Sequence, residues 1–280
     1  MTERRQLLRD LPVFEGDPPA VGPAETPDDP VELSTAWPLP GAAPDADAVR
    51  EAVEAGQARL RALLPGLTDA AIREPSALPG WSRAHVLAHI EGIGLAMARQ
   101  ARYALRGESI DPYDGGRPAR AAAIEAGARR DAAALRAAVA QALAEASAAW
   151  AAVGPDDWSR PVRYRDGALR GALLAWWREL TIHTSDARLG PGPQQWPPEL
   201  CHHLLDHLAP RAPEGVRLVL EPVDVPAAVR RYGPADAPVV TVRGPLTALA
   251  AWLAGRTPHT RLGCERAGTA GPLPELGPWP

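Results

Sequence analysis

Four long stretches of this chain carry apolar residues at helical spacing, and together they leave few folds open. They cover about 45–64, 82–107, 118–151 and 167–188. Pro65-Gly66 ends the first stretch, Ser82 is a suitable N-cap for the second, and Gly107 is a suitable stop. The third is predicted to bury one face, which carries Ile124, Leu135, Val139, Leu143 and Trp150. Amphipathic helices joined by short or moderate connections predict a four-helix bundle.

The apolar pattern changes after the segment LGPGPQQWPP. Downstream, PELCHHLLDHLA has helical spacing, GVRLVLEP and APVVTVRGP alternate like strands, and LTALAAWLAGR is helical again. The sequence therefore predicts an α+β protein, with a bundle at 45–190 and a small α+β domain at 195–280. Residues 1–44 are rich in Pro, Gly, Asp and Glu, a composition that predicts an extended arm or a disordered tail.

Composition excludes several classes of function. The net charge is -4, the pI is about 6.0 and both signs are interspersed, so there is no basic face for a nucleic acid. No apolar run approaches the roughly 18 residues of a membrane span. The N-terminus is charged and has no apolar signal segment, which predicts a cytoplasmic protein. Cys201 and Cys264 do not form a C-x-x-C pair, which agrees with a reducing compartment.

The segment WWRELTIHTSD places Glu179 and His183 on one side of the fourth helix, among apolar neighbours. A buried carboxylate is costly unless it is paired or binds a metal. The second helix carries HVLAH, in which His85 and His89 also share a face. A divalent metal held by Glu179, His183 and one of these histidines would neutralise the carboxylate. Spacing alone does not choose between His85 and His89, and it leaves an ordinary hydrogen-bonded pair open.

A second group of metal-ligating side chains competes with this one. The segment CHHLLDH offers Cys201, His203 and His207, which could bind zinc. The surrounding leucines already explain an amphipathic helix, and the two histidines fit its exposed side. We therefore expect no metal there.

Two segments carry a resemblance to a known family. LPGWSRAHVLAHI and WWRELTIHTSDARLG resemble the mycothiol-dependent maleylpyruvate isomerase family, a branch of the DinB-like metal-binding bundles. VVTVRGPLTALAAWLAGR and the terminal PLPELGPWP are similar to that family's C-terminal domain. The resemblance covers about 45–280. It implies that His89, Glu179 and His183 are the metal ligands, that His85 is a structural or supporting neighbour, and that Arg256 is a catalytic residue.

The resemblance also implies a chemistry. Two imidazoles and a carboxylate leave coordination positions open, as in a catalytic zinc site, although nickel, iron or manganese would also accept them. The thiol cosubstrate would be mycothiol, an actinobacterial thiol. All 30 basic residues are arginine and alanine is abundant, which is compatible with a GC-rich actinobacterial host. The activated thiolate would isomerise an enoyl acid whose carboxylate could be bound by Arg256.

Alternatives remain at this point. The same thiolate could instead form a stable thioether with an electrophile, as in an S-transferase of detoxification or natural-product biosynthesis. Alternatively, the bundle could be a non-catalytic binding module. The expected partners are a small electrophilic substrate and a low-molecular-weight thiol, with no nucleic acid and no membrane. The chain is expected to be a monomer or a homodimer.

Overall fold

The computed structural model describes residues 44–190 and 192–280, which form two compact units, 45–190 and 192–280. Residues 1–43 of the predicted arm lie outside the described residues. The predicted fold class is confirmed, because a helical N-terminal region precedes a mixed five-stranded sheet. Among the described helices, none combines the length and apolar character needed to cross a bilayer.

The first unit contains six α-helices: α1 (Ala46–Leu63), α2 (Asp69–Arg73), α3 (Arg83–Leu105), α4 (Gly116–Gly127), α5 (Ala132–Ala151) and α6 (Leu169–Asp186). Among the four longest helices, α3 packs against α5 and α6, and α1 packs against the same two. Their apolar stripes meet in a core that includes Leu60, Leu87, Met97, Leu143, Trp150, Trp176 and Trp177. The burial of these stripes is what stabilises the helices.

The expected single helix over 118–151 is wrong. The structure has two helices, α4 and α5, with a break between Gly127 and Ala132. The break is fixed by polar contacts: the Arg73 guanidinium donates to the carbonyls of residues 128, 129 and 130, and the Asp131 carboxylate caps the amide of Ala134 at 2.7 Å. All five predicted inner residues are nevertheless buried: Ile124, Leu135, Val139, Leu143 and Trp150.

Two glycines allow the helices to approach closely around one part of α3. A Cβ at Gly94 would lie 3.0 Å from Cη2 of Trp176, so α3 can rest directly on α6 at this point. A Cβ at Gly127 would lie 2.6 Å from the Cβ of Ala88, so the end of α4 also touches α3. Larger side chains at these positions would push the helices apart. Helix α3 is therefore in close contact with α4 at Ala88 and with α6 at Gly94.

The second unit contains α7 (Pro198–His207), β1 (Arg217–Pro222), β2 (Arg230–Tyr232), β3 (Val239–Gly244), α8 (Leu246–Leu253), β4 (Gly263–Arg266) and β5 (Thr269–Ala270). The strand order is β2-β1-β3-β4-β5, with β1 and β3 parallel and the other neighbours antiparallel. Helix α7 packs against α8, and α8 packs on β1 and β3. The two longer strands and both helices agree with the sequence prediction, whereas β2, β4 and β5 were not predicted.

Candidate metal centre

Three ionisable side chains meet inside the helical unit. Helix α3 contributes His89, and α6 contributes Glu179 and His183, which lie four residues apart and so share a face. Their exposed fractions are 3%, 4% and 6%. One ligand atom from each lies within 4.8 Å of the others, and this is the single group of three such side chains found among residues 44–190 and 192–280. The structure therefore brings together the three residues that the family resemblance implied as metal ligands.

The distances within this cluster fit a shared cation. Nε2 of His89 lies 2.8 Å from Oε2 of Glu179, and Nε2 of His183 lies 3.1 Å from the same oxygen. Two ligand atoms of one tetrahedral zinc ion, each about 2.0–2.2 Å from it, lie about 3.3–3.6 Å apart. The observed separations are hydrogen-bond distances, so the ligand atoms would move apart by about 0.5 Å to hold a metal. The donor set of two imidazoles and one carboxylate also suits a divalent transition metal.

The protonation states favour metal binding as well. Burial would raise the pKa of Glu179, but hydrogen bonds from His183 and His89 outweigh it and hold this pKa well below its ordinary value. Burial lowers the pKa of His89 to about 4, and the neighbouring His183 adds to the effect. At neutral pH the cluster therefore contains an ionised carboxylate and at least one neutral imidazole, which are the forms that bind metals.

Asp186 supports the cluster from the end of α6. Its Oδ2 lies 2.9 Å from Nδ1 of His183, and Asp186 is 1% exposed. Burial would lower the pKa of His183, but the hydrogen bonds with Asp186 and Glu179 outweigh it and raise this pKa. A carboxylate on the far nitrogen of a metal-ligating histidine fixes the ring and its tautomer. The sequence interpretation missed this role, although Asp186 follows His183 by one helical turn.

His85 has a different task at the start of α3. Its Nδ1 accepts from the backbone amide of Ser82 at 3.2 Å and lies 2.7 Å from the Ser82 hydroxyl, which completes a reciprocal cap. Its ring stacks on Trp81, with ring centroids 6.0 Å apart. His85 therefore stabilises the helix that carries His89, and it lies outside the three-residue cluster.

A cavity of about 660 Å³ adjoins the cluster, and His89 forms part of its wall. The other polar side chains of the wall include Arg99, Arg102, Tyr103, Tyr113, Asp114 and Arg120. Nη2 of Arg120 lies 3.1 Å from Nδ1 of His89. Sequence reasoning missed Arg120 because it considered α4 part of one long helix and examined only its apolar face.

The competing group in the second unit, Cys201, His203 and His207, does not bring three ligand atoms within 4.8 Å of one another. Cys201 is fully buried and His203 is 8% exposed, so the expectation that both histidines lie on the exposed side of α7 is wrong for His203. The rings of His203 and His207 stack, with their centroids 5.6 Å apart. Asp206 of the same helix forms an ion pair with Arg230 at 2.6 Å.

Arg256 lies in the second unit, just after α8. Its Nη1 donates to the carbonyl of Ala254 at 2.7 Å, and its guanidinium lies 5.7 Å from the ring centroid of Trp279. It is half-buried. The Trp279 contact joins Arg256 to the end of the C-terminal irregular segment, and the role of Arg256 in the reaction stays a prediction.

The fold and the cluster define a class: a helical scaffold that presents two histidines and a glutamate beside a cavity, followed by a mixed sheet. Two family models match the chain, the mycothiol maleylpyruvate isomerase N-terminal domain over residues 53–188 and the MDMPI C-terminal domain over residues 195–278. The chain therefore belongs to the mycothiol maleylpyruvate isomerase family, as the sequence resemblance indicated.

Solved structures agree with this assignment at the level of the fold. The crystal structure of the mycothiol-dependent maleylpyruvate isomerase, and that of a point mutant of it, each match with a TM-score of 0.72 and 24% identity. Each match covers 84% of this chain and 97% of the other. A search of curated proteins found no match.

Proposed function

We propose that this chain is a metal-dependent enzyme that uses mycothiol as a thiol cosubstrate to isomerise a cis enoyl acid of the maleylpyruvate type. The proposal rests on one observation: His89, Glu179 and His183 are buried, and their ligand atoms lie close together beside a cavity of about 660 Å³. A buried cluster of ionisable groups in such a place is typical of a functional site. The family of the chain supplies the thiol and the reaction type.

The protein's own residues would hold and orient the metal. Glu179 supplies the negative charge, His89 a neutral imidazole, and His183 an imidazole fixed by Asp186. A bound divalent metal, with zinc as the first choice, would keep a thiol ionised at neutral pH. A thiolate adds reversibly to an activated double bond and so permits rotation about it. The buried side chains around the cluster would exclude water from that step.

The thiol must come from outside the chain. Both cysteines are buried in the second unit, and burial raises the pKa of the Cys201 thiol well above its ordinary value. A protonated, inaccessible thiol is a poor nucleophile. A small-molecule thiol that enters the cavity fits the chemistry better.

Arg256 is proposed as a second functional residue, by its match to the family position. Its planar guanidinium could bind a carboxylate through two hydrogen bonds. We expect Arg256→Ala to reduce turnover by about tenfold or more and to leave metal content unchanged. Unchanged kinetics would remove Arg256 from the proposed machinery.

The test combines metal analysis with turnover. The purified protein is reconstituted with zinc, and its metal content is compared with that of a Glu179→Ala/His183→Ala double variant whose folding is checked by circular dichroism. We expect about one metal per chain in the parent, none in the variant, and isomerisation of maleylpyruvate that requires both metal and mycothiol. A folded parent that takes up no metal would refute the proposal and favour a binding module. A stable thioether product would instead identify an S-transferase.

A further inference from the structure

The cavity beside the metal cluster contains three arginines, but their partners differ. Arg99 binds Asp114 through two hydrogen bonds, at 2.8 and 2.7 Å. Arg102 lies 3.4 Å from Glu145. Within the described part of the chain, Arg120 forms no ion pair with a carboxylate; its guanidinium contacts Nδ1 of His89 at 3.1 Å and faces the oxygen of the Tyr113 hydroxyl. Of these three arginines, Arg120 therefore lacks a carboxylate at ion-pair distance.

The contact between Arg120 and His89 limits what His89 can do. Because a guanidinium only donates hydrogen bonds, Nδ1 of His89 must accept from Arg120 and Nε2 must carry the hydrogen. A metal on Nε2 requires the hydrogen to be on Nδ1, where two donors would then face each other. The Arg120 contact and metal ligation through Nε2 are therefore incompatible. Metal binding would release the guanidinium from His89 and leave it in the cavity.

Tyr113 adds a second polar group to the same wall. Its hydroxyl is buried and has no hydrogen-bond partner of normal geometry within the described part of the chain. The Arg120 guanidinium lies 5.9 Å from the Tyr113 ring centroid. Burial raises the pKa of Tyr113 to about 12, so the hydroxyl keeps its proton and can donate. A donor left unpaired in this way is costly unless a ligand or water accepts from it.

We propose that Arg120, with the Tyr113 hydroxyl beside it, binds a carboxylate of the substrate in this cavity, next to His89. A guanidinium pairs with a carboxylate through two parallel hydrogen bonds, which orient the ligand as well as attract it. This assignment deepens the proposed function, and it rests on that function for the claim that the anion lies beside a metal-activated thiol. It places an anion-binding group in the helical unit itself.

The experiment measures the binding of succinate, a dicarboxylate that does not react with thiols, to the zinc-reconstituted full chain by NMR titration. We expect Arg120→Gln to weaken succinate binding by about tenfold or more, because it removes the charged fork and keeps a polar side chain. The succinate affinity of Arg120→Lys should lie between those of the parent and Arg120→Gln, since lysine keeps the charge but cannot form two parallel hydrogen bonds. Neutral succinamide should bind no better to the parent than to Arg120→Gln.

Arg102→Gln is the matched control, because Arg102 lies on the same cavity wall but already faces Glu145. Its succinate affinity should stay within about twofold of the parent. Equal losses in Arg102→Gln and Arg120→Gln would show a diffuse charge effect and overturn the proposal. Failure of the parent to bind succinate would also overturn it.

Metal titration gives an independent readout. Arg120→Gln should bind zinc at least as tightly as the parent without succinate, because the glutamine carbonyl can accept from Nδ1 of His89 and the nearby positive charge is gone. Loss of zinc in this variant would show that Arg120 builds the metal site, and it would overturn the anion-binding role. A chain that binds succinate through Arg120 but takes up no metal would instead refute the proposed function alone.

Discussion

Helices α6 and α7 both carry metal-ligating residues at four-residue spacing, yet only one of them takes part in a compact cluster. On α6, Glu179 and His183 face His89 of a second helix, and all three are buried. On α7, His203 stacks on His207 of the same helix. Four-residue spacing places side chains on one face of a helix, but a second element must supply the remaining ligand.

A carboxylate makes the second difference between the two regions. Glu179 accepts from both histidines of its cluster, so one anion organises the ligand atoms around a single point. On α7, Asp206 is next to His207 in the sequence, but its carboxylate forms an ion pair with Arg230. An acid already paired with a guanidinium is not free to neutralise a cation.

The largest expected effect comes from a comparison of buried histidines in the two regions. His89→Ala should lower zinc affinity by more than about 100-fold, because it removes a proposed direct ligand, whereas loss of a residue that only orients a ligand typically costs 10–100-fold. His203→Ala should retain the parent's zinc content, although it can lower thermal stability. The measurement is zinc titration against a chromophoric chelator.

His85→Ala is the control within the first region. His85 caps the helix that carries His89, so its loss should reduce stability and leave most of the zinc in place. Equal zinc retention by His85→Ala and His89→Ala would contradict the assignment of His89 as a ligand.

The sequence predicted the large elements of the fold because their apolar patterns are long. It missed β2, β4 and β5, which have three, four and two residues and are too short to show alternation. It also joined α4 to α5, because the apolar spacing continues across a break that depends on Arg73, a residue far away in the chain. Periodicity reports which face is buried and does not report where a distant side chain interrupts the backbone.

The candidate site, like the fold, could be predicted only in part from the sequence. Spacing found Glu179 and His183, but the choice between His85 and His89 required the family resemblance, because both lie on one face of α3. The structure shows the physical reason for that choice: His85 folds back onto the helix start, and His89 reaches α6. Arg120 could not be found from spacing, since its neighbours in space come from a different helix.

A smaller effect is expected at the residue that orients His183. Asp186→Asn should weaken zinc binding by about 10–100-fold. The amide keeps the shape of the carboxylate but loses its charge, and its NH₂ group can favour the wrong tautomer of the His183 ring. Circular dichroism should remain that of the parent. An unchanged zinc affinity would show that the ring of His183 is held by packing alone.

The smallest expected effect is the change of zinc affinity per pH unit. This change distinguishes the two histidines of the cluster. The raised pKa of His183 means that a proton competes with zinc as the pH falls through that pKa, whereas the pKa of His89, about 4, keeps it neutral until much lower pH. Zinc affinity should be greatest above the raised pKa and should fall about tenfold per pH unit below it, since one proton is displaced per metal. Near pH 4 the slope should steepen as His89 also takes up a proton.

Asp186→Asn provides the internal check on this assignment, because it removes a contact that raises the pKa of His183. In this variant, the pH at which zinc affinity begins to fall should be lower than in the parent, while the steeper region near pH 4 stays in place. If that pH does not change, the competing proton is not on His183. If affinity stays flat down to pH 5 in the parent, His183 does not compete for a proton in that range, and the contrast drawn between the two ligands is wrong.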